Sequence, residues 1–308
     1  MDPKTSMRDA FIGKLYDIGL KDKNLIFVTG DMGAPALDDF RKNLASQFVN
    51  VGIAEHNMIA VASGLALEGK KTYCYAIAPF ASSRCHEFTK IDLSLMKIPV
   101  TIIGVGAGFG YDDSGPTHHT TEDISIMRVL PNMEIYCPAD SLSASKIAEL
   151  THKSGKPGYV RLDRQLQPLI YSDDERFEEG FKELRTGDEI GIIATGNMVH
   201  VALDVANKLN AKGKNIGVID LYRIKPINPF LKEVLKNYKY LVSLEEHLLD
   251  GGLGSLISEI VTDNNLNVKL KRLGVKEYLY KYGRENMHEY CGIDANSVAR
   301  FIENWDVN

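Results

Sequence analysis

Phe48-Val49-Asn50-Val51-Gly52-Ile53-Ala54-Glu55-His56-Asn57-Met58 is the stretch whose reading decides the fold. An apolar run ends in a glycine, and one carboxylate follows. Then comes Met58-Ile59-Ala60-Val61-Ala62-Ser63-Gly64-Leu65-Ala66-Leu67, apolar nearly all round. The pattern predicts a buried strand, a turn, and a helix whose first turn carries Glu55. A carboxylate between apolar walls is costly to ionise and favours the protonated, hydrogen-bond-donating form. The plainer reading is that Glu55 complements the positive end of the helix from a partly wet position. Taken alone, the window favours the plainer reading.

The segments on either side repeat the strand–helix rhythm. Residues Thr5 to Ile18 have helical spacing, with Met7, Phe11, Leu15 and Ile18 on one face. Strands are predicted at Leu25–Thr29, Lys71–Ala78, Val100–Val105, Met133–Tyr136 and Gly158–Leu162. Helices are predicted from Phe80 through Phe88, Ile91 and Leu95, at Ile124–Val129 and at Ser143–His152. Short apolar strands alternating with helices imply a mostly parallel sheet covered on both faces. A polar, charged segment from Ser172 to Asp188 then interrupts the pattern. A second α/β unit follows, with strands at Glu189–Ala194, Ile216–Asp220 and Tyr240–Leu244 and helices at His200–Leu209 and Ser255–Val261. The expected organisation is two three-layer α/β domains, residues 1–171 and 189–308, joined by a linker at 172–188.

The 308 residues suffice for two domains of ordinary size, and 44% hydrophobic with 25% charged residues fits a globular chain. A net charge of −5 supplies no basic footprint for nucleic acid. Cys74, Cys85, Cys137 and Cys291 form no CxxC pair and no zinc spacing with histidine, which suits a reducing compartment. The sequence carries no signal-peptide pattern and no apolar run that spans a bilayer, so a cytoplasmic location is expected.

In a parallel sheet, ligands gather beyond the C-terminal ends of the strands. Four loops are predicted there: Gly30–Gly33, Gly52–Glu55, Ala78–Ser83 and Gly106–His119. Neighbouring residues of an extended loop point in opposite directions, so His118 and His119 are not expected to share a metal. His118 is read as a contact to a small substrate, and His119 as hydrogen-bonded within its own loop. Gly251-Gly252-Leu253-Gly254 lacks the spacing of a nucleotide-binding turn, and close packing of helix on sheet is its expected use.

In order and spacing, these segments resemble the C-terminal two domains of the transketolase and deoxyxylulose-phosphate synthase family. Gly30-Asp31, Val51-Gly52-Ile53-Ala54-Glu55-His56, Ser114-Gly115-Pro116-Thr117-His118 and Pro138-Ala139-Asp140 carry the resemblance in the first domain. Asp220-Leu221-Tyr222-Arg223-Ile224-Lys225-Pro226-Ile227 and Glu245-Glu246-His247 carry it in the second. The resemblance implies a pyrimidine-binding domain followed by a transketolase C-terminal domain, with thiamine diphosphate as cofactor. The family's magnesium site uses a Gly-Asp-Gly motif with a distal Asn, and this sequence has none. The resemblance therefore implies one subunit of a split enzyme. No metal ligand is expected in this chain; Mg²⁺ and the cofactor diphosphate would be held by an N-terminal partner subunit, in a heterotetramer of two copies of each.

The resemblance also assigns roles. Glu55 would hydrogen-bond N1′ of the cofactor's aminopyrimidine, and Phe80 would stack on that ring. Ile77 and Ser83 fall at neighbouring pocket positions, Asp31 at a pocket carboxylate, and Met32 at the apolar residue under the bent cofactor. His118 falls near the substrate carbonyl, with Asp113 and Ser114 beside it. Three positions depart from transketolases: Ser114 replaces an aspartate, Cys137 an arginine and Gly106 a histidine. Arg161 and Arg164 are then the candidate anion ligands, with a structural ion pair as the alternative for each. The expected activity is transfer of a two-carbon ketol unit from a ketose to an aldose, either a sugar phosphate or a modified or nucleotide-linked sugar. The alternatives are a synthase-like or 2-oxo-acid-dehydrogenase-like decarboxylating subunit, and a non-catalytic regulatory subunit.

Overall fold

The computed structural model describes residues 5–280 and 283–305. The outer ends of the two expected domains lie outside the described residues. The first sheet contains β1 (Leu25–Thr29), β2 (Phe48–Asn50), β3 (Lys71–Ile77), β4 (Val100–Val105), β5 (Glu134–Tyr136) and β6 (Gly158–Leu162). The second contains β7 (Lys182–Arg185), β8 (Ile190–Ala194), β9 (Ile216–Asp220), β11 (Tyr240–Leu248) and β12 (Lys269–Val275). The remaining strand, β10 (Arg223–Lys225), follows β9 in the chain but joins the first sheet. The orders are β10-β5-β6-β4-β3-β1-β2 and β12-β11-β8-β9-β7. Each sheet is parallel apart from one antiparallel edge strand, β10 on β5 and β7 on β9.

The first domain is layered as the sequence predicts. Leu25 and Phe27 of β1 pack toward Phe11 and Leu15 of the helix Met7–Gly19. Ile26 and Val28 point the other way, into one core with Met58, Ile59 and Ala62 of the helix Glu55–Leu67. That alternation is the period-two signature of a strand buried on both faces.

Three expectations change. Phe48–Asn50 is not a buried strand; it pairs only with β1 and forms the sheet edge, and Asn50 is exposed. The helix from Glu55, apolar nearly all round in sequence, turns Ala60, Gly64 and Leu67 outward. The long helix expected from Phe80 is broken. A single turn, Ala78–Ala81, gives way to the turn at 82–85, and the helix resumes at His86–Phe88 and continues as π-helical backbone over Thr89–Leu95. Hydroxyl back-bonds from Ser82 to the Ala78 carbonyl (2.6 Å) and from Thr89 to the Cys85 carbonyl (3.0 Å) flank the break and compete with the helical ladder. Finally, the expected linker at 172–188 contributes β7 to the second sheet.

Candidate active site

The turn after β2 is built to present Glu55. The Asn50 side-chain oxygen accepts from the backbone N–H groups of Asp31 (3.1 Å) and Gly52 (3.0 Å), and its amide donates to the Asp31 carboxylate (2.8 Å). Gly52 sits at φ +76, a backbone state that glycine adopts without penalty. The helix then begins at Glu55, which is 4% exposed. Its carboxylate is not walled by apolar groups alone. Arg84 Nη1 donates to Glu55 Oε2 at 2.8 Å, and the guanidinium carbon lies 4.3 Å from the centroid of the Phe80 ring. On the same ring, the His118 imidazole packs edge-on at 5.3 Å. His118 Nδ1 lies 3.0 Å from the Thr117 hydroxyl, and Tyr111 lies 6.1 Å from its ring, with the Arg164 guanidinium 4.5 Å from the Tyr111 centroid. Glu55, Arg84, Phe80, His118, Tyr111 and Arg164 thus form one unbroken line across the ends of β3, β4 and β6.

The other expected residues stand on loops at the same sheet end. Asp31 is exposed after β1, and Met32 beside it is half-buried. Ile77 closes β3 and is half-buried, while Ser83 is exposed in the helix break. Asp113 and Ser114 are exposed and hydrogen-bonded to each other at 3.0 Å. His119 is buried against Phe109 (5.1 Å), and its Nε2 has no hydrogen-bond partner among the described residues. It is held by packing rather than by the loop hydrogen bond expected for its ring, and burial lowers its pKa.

Arg161 makes the structural ion pair that stood as its alternative. It lies fully inside the protein, where Nε donates to both oxygens of Asp123 at 3.0 and 2.9 Å. Its Nη2 donates to the carbonyls of Thr120 (2.9 Å) and Glu246 (3.1 Å). β6 is covered on both faces, so a cation in its middle cannot reach water and needs a buried carboxylate.

This pair opens onto an ionic cluster that the sequence reading missed. Arg284 of the second domain pairs with Glu246 (2.6 Å) and with Asp163 of the first domain (2.7 Å), and its Nη1 donates to Gln165 (2.9 Å). His288 also contacts Glu246. Burial alone would raise the Glu246 pKa, but Arg284 and His288 outweigh it and hold the carboxylate well below the usual range. Gly108 makes the approach possible: a Cβ there would fall 2.0 Å from Glu246 Oε2. The loop carrying His118 is therefore clamped at its base by the end of β11. The neighbouring Glu245 accepts from the N–H groups of Leu253 (2.6 Å) and Gly254 (2.8 Å). The glycine turn at 251–254 is thus filled by the protein's own carboxylate, in keeping with its expected structural use.

Among the described residues, no three His, Cys, Asp or Glu side chains converge as a metal site, and no helix is long and apolar enough to cross a membrane.

Comparison with known proteins shows the family. Residues 3–168 match the family model "Transketolase, pyrimidine binding domain", and residues 180–298 match "Transketolase, C-terminal domain". The chain belongs to the transketolase family. A Methanocaldococcus jannaschii relative of this transketolase chain, described as a putative transketolase C-terminal section, is 33% identical over 302 residues, 96% of this chain and 95% of the relative. A relative from Actinobacillus succinogenes, described as one subunit of an apulose-4-phosphate transketolase, is 34% identical, with 90% of each chain covered. A solved structure described as a split gene transketolase, inactive beta4 tetramer, superposes with a TM-score of 0.89 at 31% identity, covering 97% of both chains. This transketolase chain thus matches split subunits over nearly their whole length, and its family is thiamine-dependent.

Proposed function

We propose that this chain is the C-terminal subunit of a thiamine-diphosphate-dependent transketolase. It would move a two-carbon ketol unit from a ketose to an aldose together with a second polypeptide. The observation that carries this reading is the line of Glu55, Phe80 and His118: a buried carboxyl, an aromatic face and an imidazole within one contact chain. The seat fits a flat nitrogenous ring, because a flat nitrogenous group, the Arg84 guanidinium, already lies between Phe80 and Glu55. When bound, thiamine diphosphate supplies an electron sink for cleavage of a carbon–carbon bond beside a carbonyl.

The protein's part is positioning and proton handling. Glu55 holds a proton between its carboxyl and the pyrimidine nitrogen N1′, in a site closed to water on one side by the helix it begins. Phe80 fixes the ring plane, and Ile77 and Met32 line the apolar flank. His118 exchanges a proton at the substrate carbonyl oxygen, with Asp113 and Ser114 near the sugar hydroxyls. Arg164 is the anion ligand that remains once Arg161 is assigned to the interior, since its guanidinium is exposed. A sugar phosphate, of the kind named for the Actinobacillus relative, is the substrate class we favour.

The partner would hold Mg²⁺ and the diphosphate, in a cytoplasmic assembly of two copies of each chain. Exposed apolar residues support a docking face: Ile53 before the helix that Glu55 begins, Leu67 at its far end, and Leu95 and Met96 at the end of the π-helical segment. The testing experiment mixes the chain with a candidate N-terminal partner, thiamine diphosphate and Mg²⁺. Ketol transfer between sugar phosphates is the expected activity. Release of CO₂ from a 2-oxo acid with no ketol transfer would move the chain to the decarboxylating class.

A further inference from the structure

The cluster around Phe80 holds one residue that the functional reading does not use. Arg84 makes, with a single guanidinium, both contacts that the reading assigns to the aminopyrimidine. It covers the Phe80 ring at 4.3 Å and hydrogen-bonds Glu55 at 2.8 Å. A guanidinium and an aminopyrimidine are both planar, delocalised and edged with nitrogen, and they cannot occupy one seat together. We infer that Arg84 holds the pyrimidine seat in the free subunit and is the group the incoming ring must displace. This inference rests on the proposed cofactor reading and adds a residue to it.

The local structure suits a side chain that swings while its backbone stays. The Arg84 N–H donates to the Pro79 carbonyl at 3.3 Å, and the Cys85 thiol lies 3.1 Å from the Phe80 carbonyl, so the turn at 82–85 is tied back to the residues before it. The Arg84 side chain is 41% exposed, against 5% for that of Glu55. It has an open route to water, and rotamer exchange of exposed side chains takes only picoseconds to nanoseconds. The hold is weak by construction. An ion pair with one exposed partner and one cation–π contact gives a modest preference for the seated state. An occupied seat lowers apparent affinity to the fraction of chains whose seat is empty. The device therefore shields a buried carboxylate in the free subunit without barring the cofactor.

The test uses the full chain and the probe 4-amino-5-hydroxymethyl-2-methylpyrimidine, which has neither thiazolium nor diphosphate. Binding is measured by equilibrium dialysis, and the Arg84 Nε–H is followed by ¹⁵N NMR. Arg84→Ala is expected to bind the probe about five- to tenfold more tightly than the unsubstituted chain. Arg84→Lys, which keeps the charge without the plane, is expected to fall between them. In the unsubstituted chain, the Arg84 Nε–H resonance is expected to move to its solvent-exposed position as probe is added.

Weaker binding by Arg84→Ala would make Arg84 a ligand of the ring and overturn the inference. Unchanged binding would show that the seat was never held, with the same result. Glu55→Ala and Phe80→Ala, each combined with Arg84→Ala, separate this inference from the reading beneath it. If those variants keep full probe affinity, or if no chain binds at millimolar probe, the pyrimidine reading itself fails.

Discussion

Among the arginine–carboxylate pairs of the first domain, two of nearly the same length do different things. Arg84 and Glu55 meet at 2.8 Å, with the arginine 41% exposed. Arg161 and Asp123 meet at 2.9 Å, with side-chain exposures of 2% and 0%. The buried pair is saturated: Tyr159 donates to the same Asp123 at 2.7 Å, and Arg161 also bonds two carbonyls. The open pair rests on one hydrogen bond and one ring face. Saturation and burial make an ion pair a structural joint. An exposed partner leaves it exchangeable, which is what a ligand seat requires.

The largest expected effect tests the open pair. Glu55→Gln in the assembled enzyme should lower kcat about a thousandfold while leaving the unfolding midpoint nearly unchanged, in line with the loss of a proton-transfer group. Steady-state kinetics and urea unfolding on one preparation check both halves. Breaking the closed pair should do the reverse. Arg161→Ala leaves Asp123 buried and unpaired and should cost about 3–5 kcal/mol of stability, whereas Arg84→Ala should cost under about 1 kcal/mol. Equal losses on urea titration would erase the distinction between the two pairs.

A pH experiment sharpens the comparison at the same domain junction. His247 donates from Nδ1 to the Leu248 carbonyl (2.6 Å) and accepts the Ser125 N–H at Nε2 (3.4 Å), as a neutral imidazole does. Burial drives its pKa down to about 4 from an ordinary 6.5. The unfolded chain then binds a proton that the folded chain refuses. Its stabilising contribution is present above pH 6.5 and lost as pH falls from 6.5 to 4, by up to about 3 kcal/mol. His119, lowered in the same sense, adds to the slope. His247→Asn should flatten stability against pH across that window, and an unaltered slope would assign the effect elsewhere. The smallest effect belongs to the far end of the line: Arg164→Ala should raise KM for phosphorylated sugars several-fold and leave kcat nearly unchanged.

Much of this was legible because it is local. Each central strand is a short apolar run between turn residues, and most of the long crossover helices follow at the expected distance. Val51 to Glu55 announced a strand end, a glycine turn and a helix-start carboxylate, and all three are present. Arg161 was left open between anion ligand and ion pair, because a guanidinium near a pocket mouth serves anions as readily as carboxylates. Its place inside Gly158–Leu162 was the available signal, since a central parallel strand has no wet face. Arg84 left a fainter trace, as a cation four residues after Phe80 in a stretch whose spacing predicts a helix. No sequence pattern could say that its head would turn back onto that ring and meet a glutamate 29 residues upstream.

The amino-acid order alone settled most of the central strands and their longest helices, that they form two α/β units, and that Glu55 opens a helix beside an aromatic loop. Periodicity and turn chemistry act between near neighbours, so they can be read without coordinates. Only the folded structure decided that Phe48–Asn50 would be an edge, that β10 would return to the first sheet, and which arginine would be locked and which left free. Those outcomes depend on contacts between residues far apart in the chain and on how much water each group keeps, and neither is encoded in any single window of sequence.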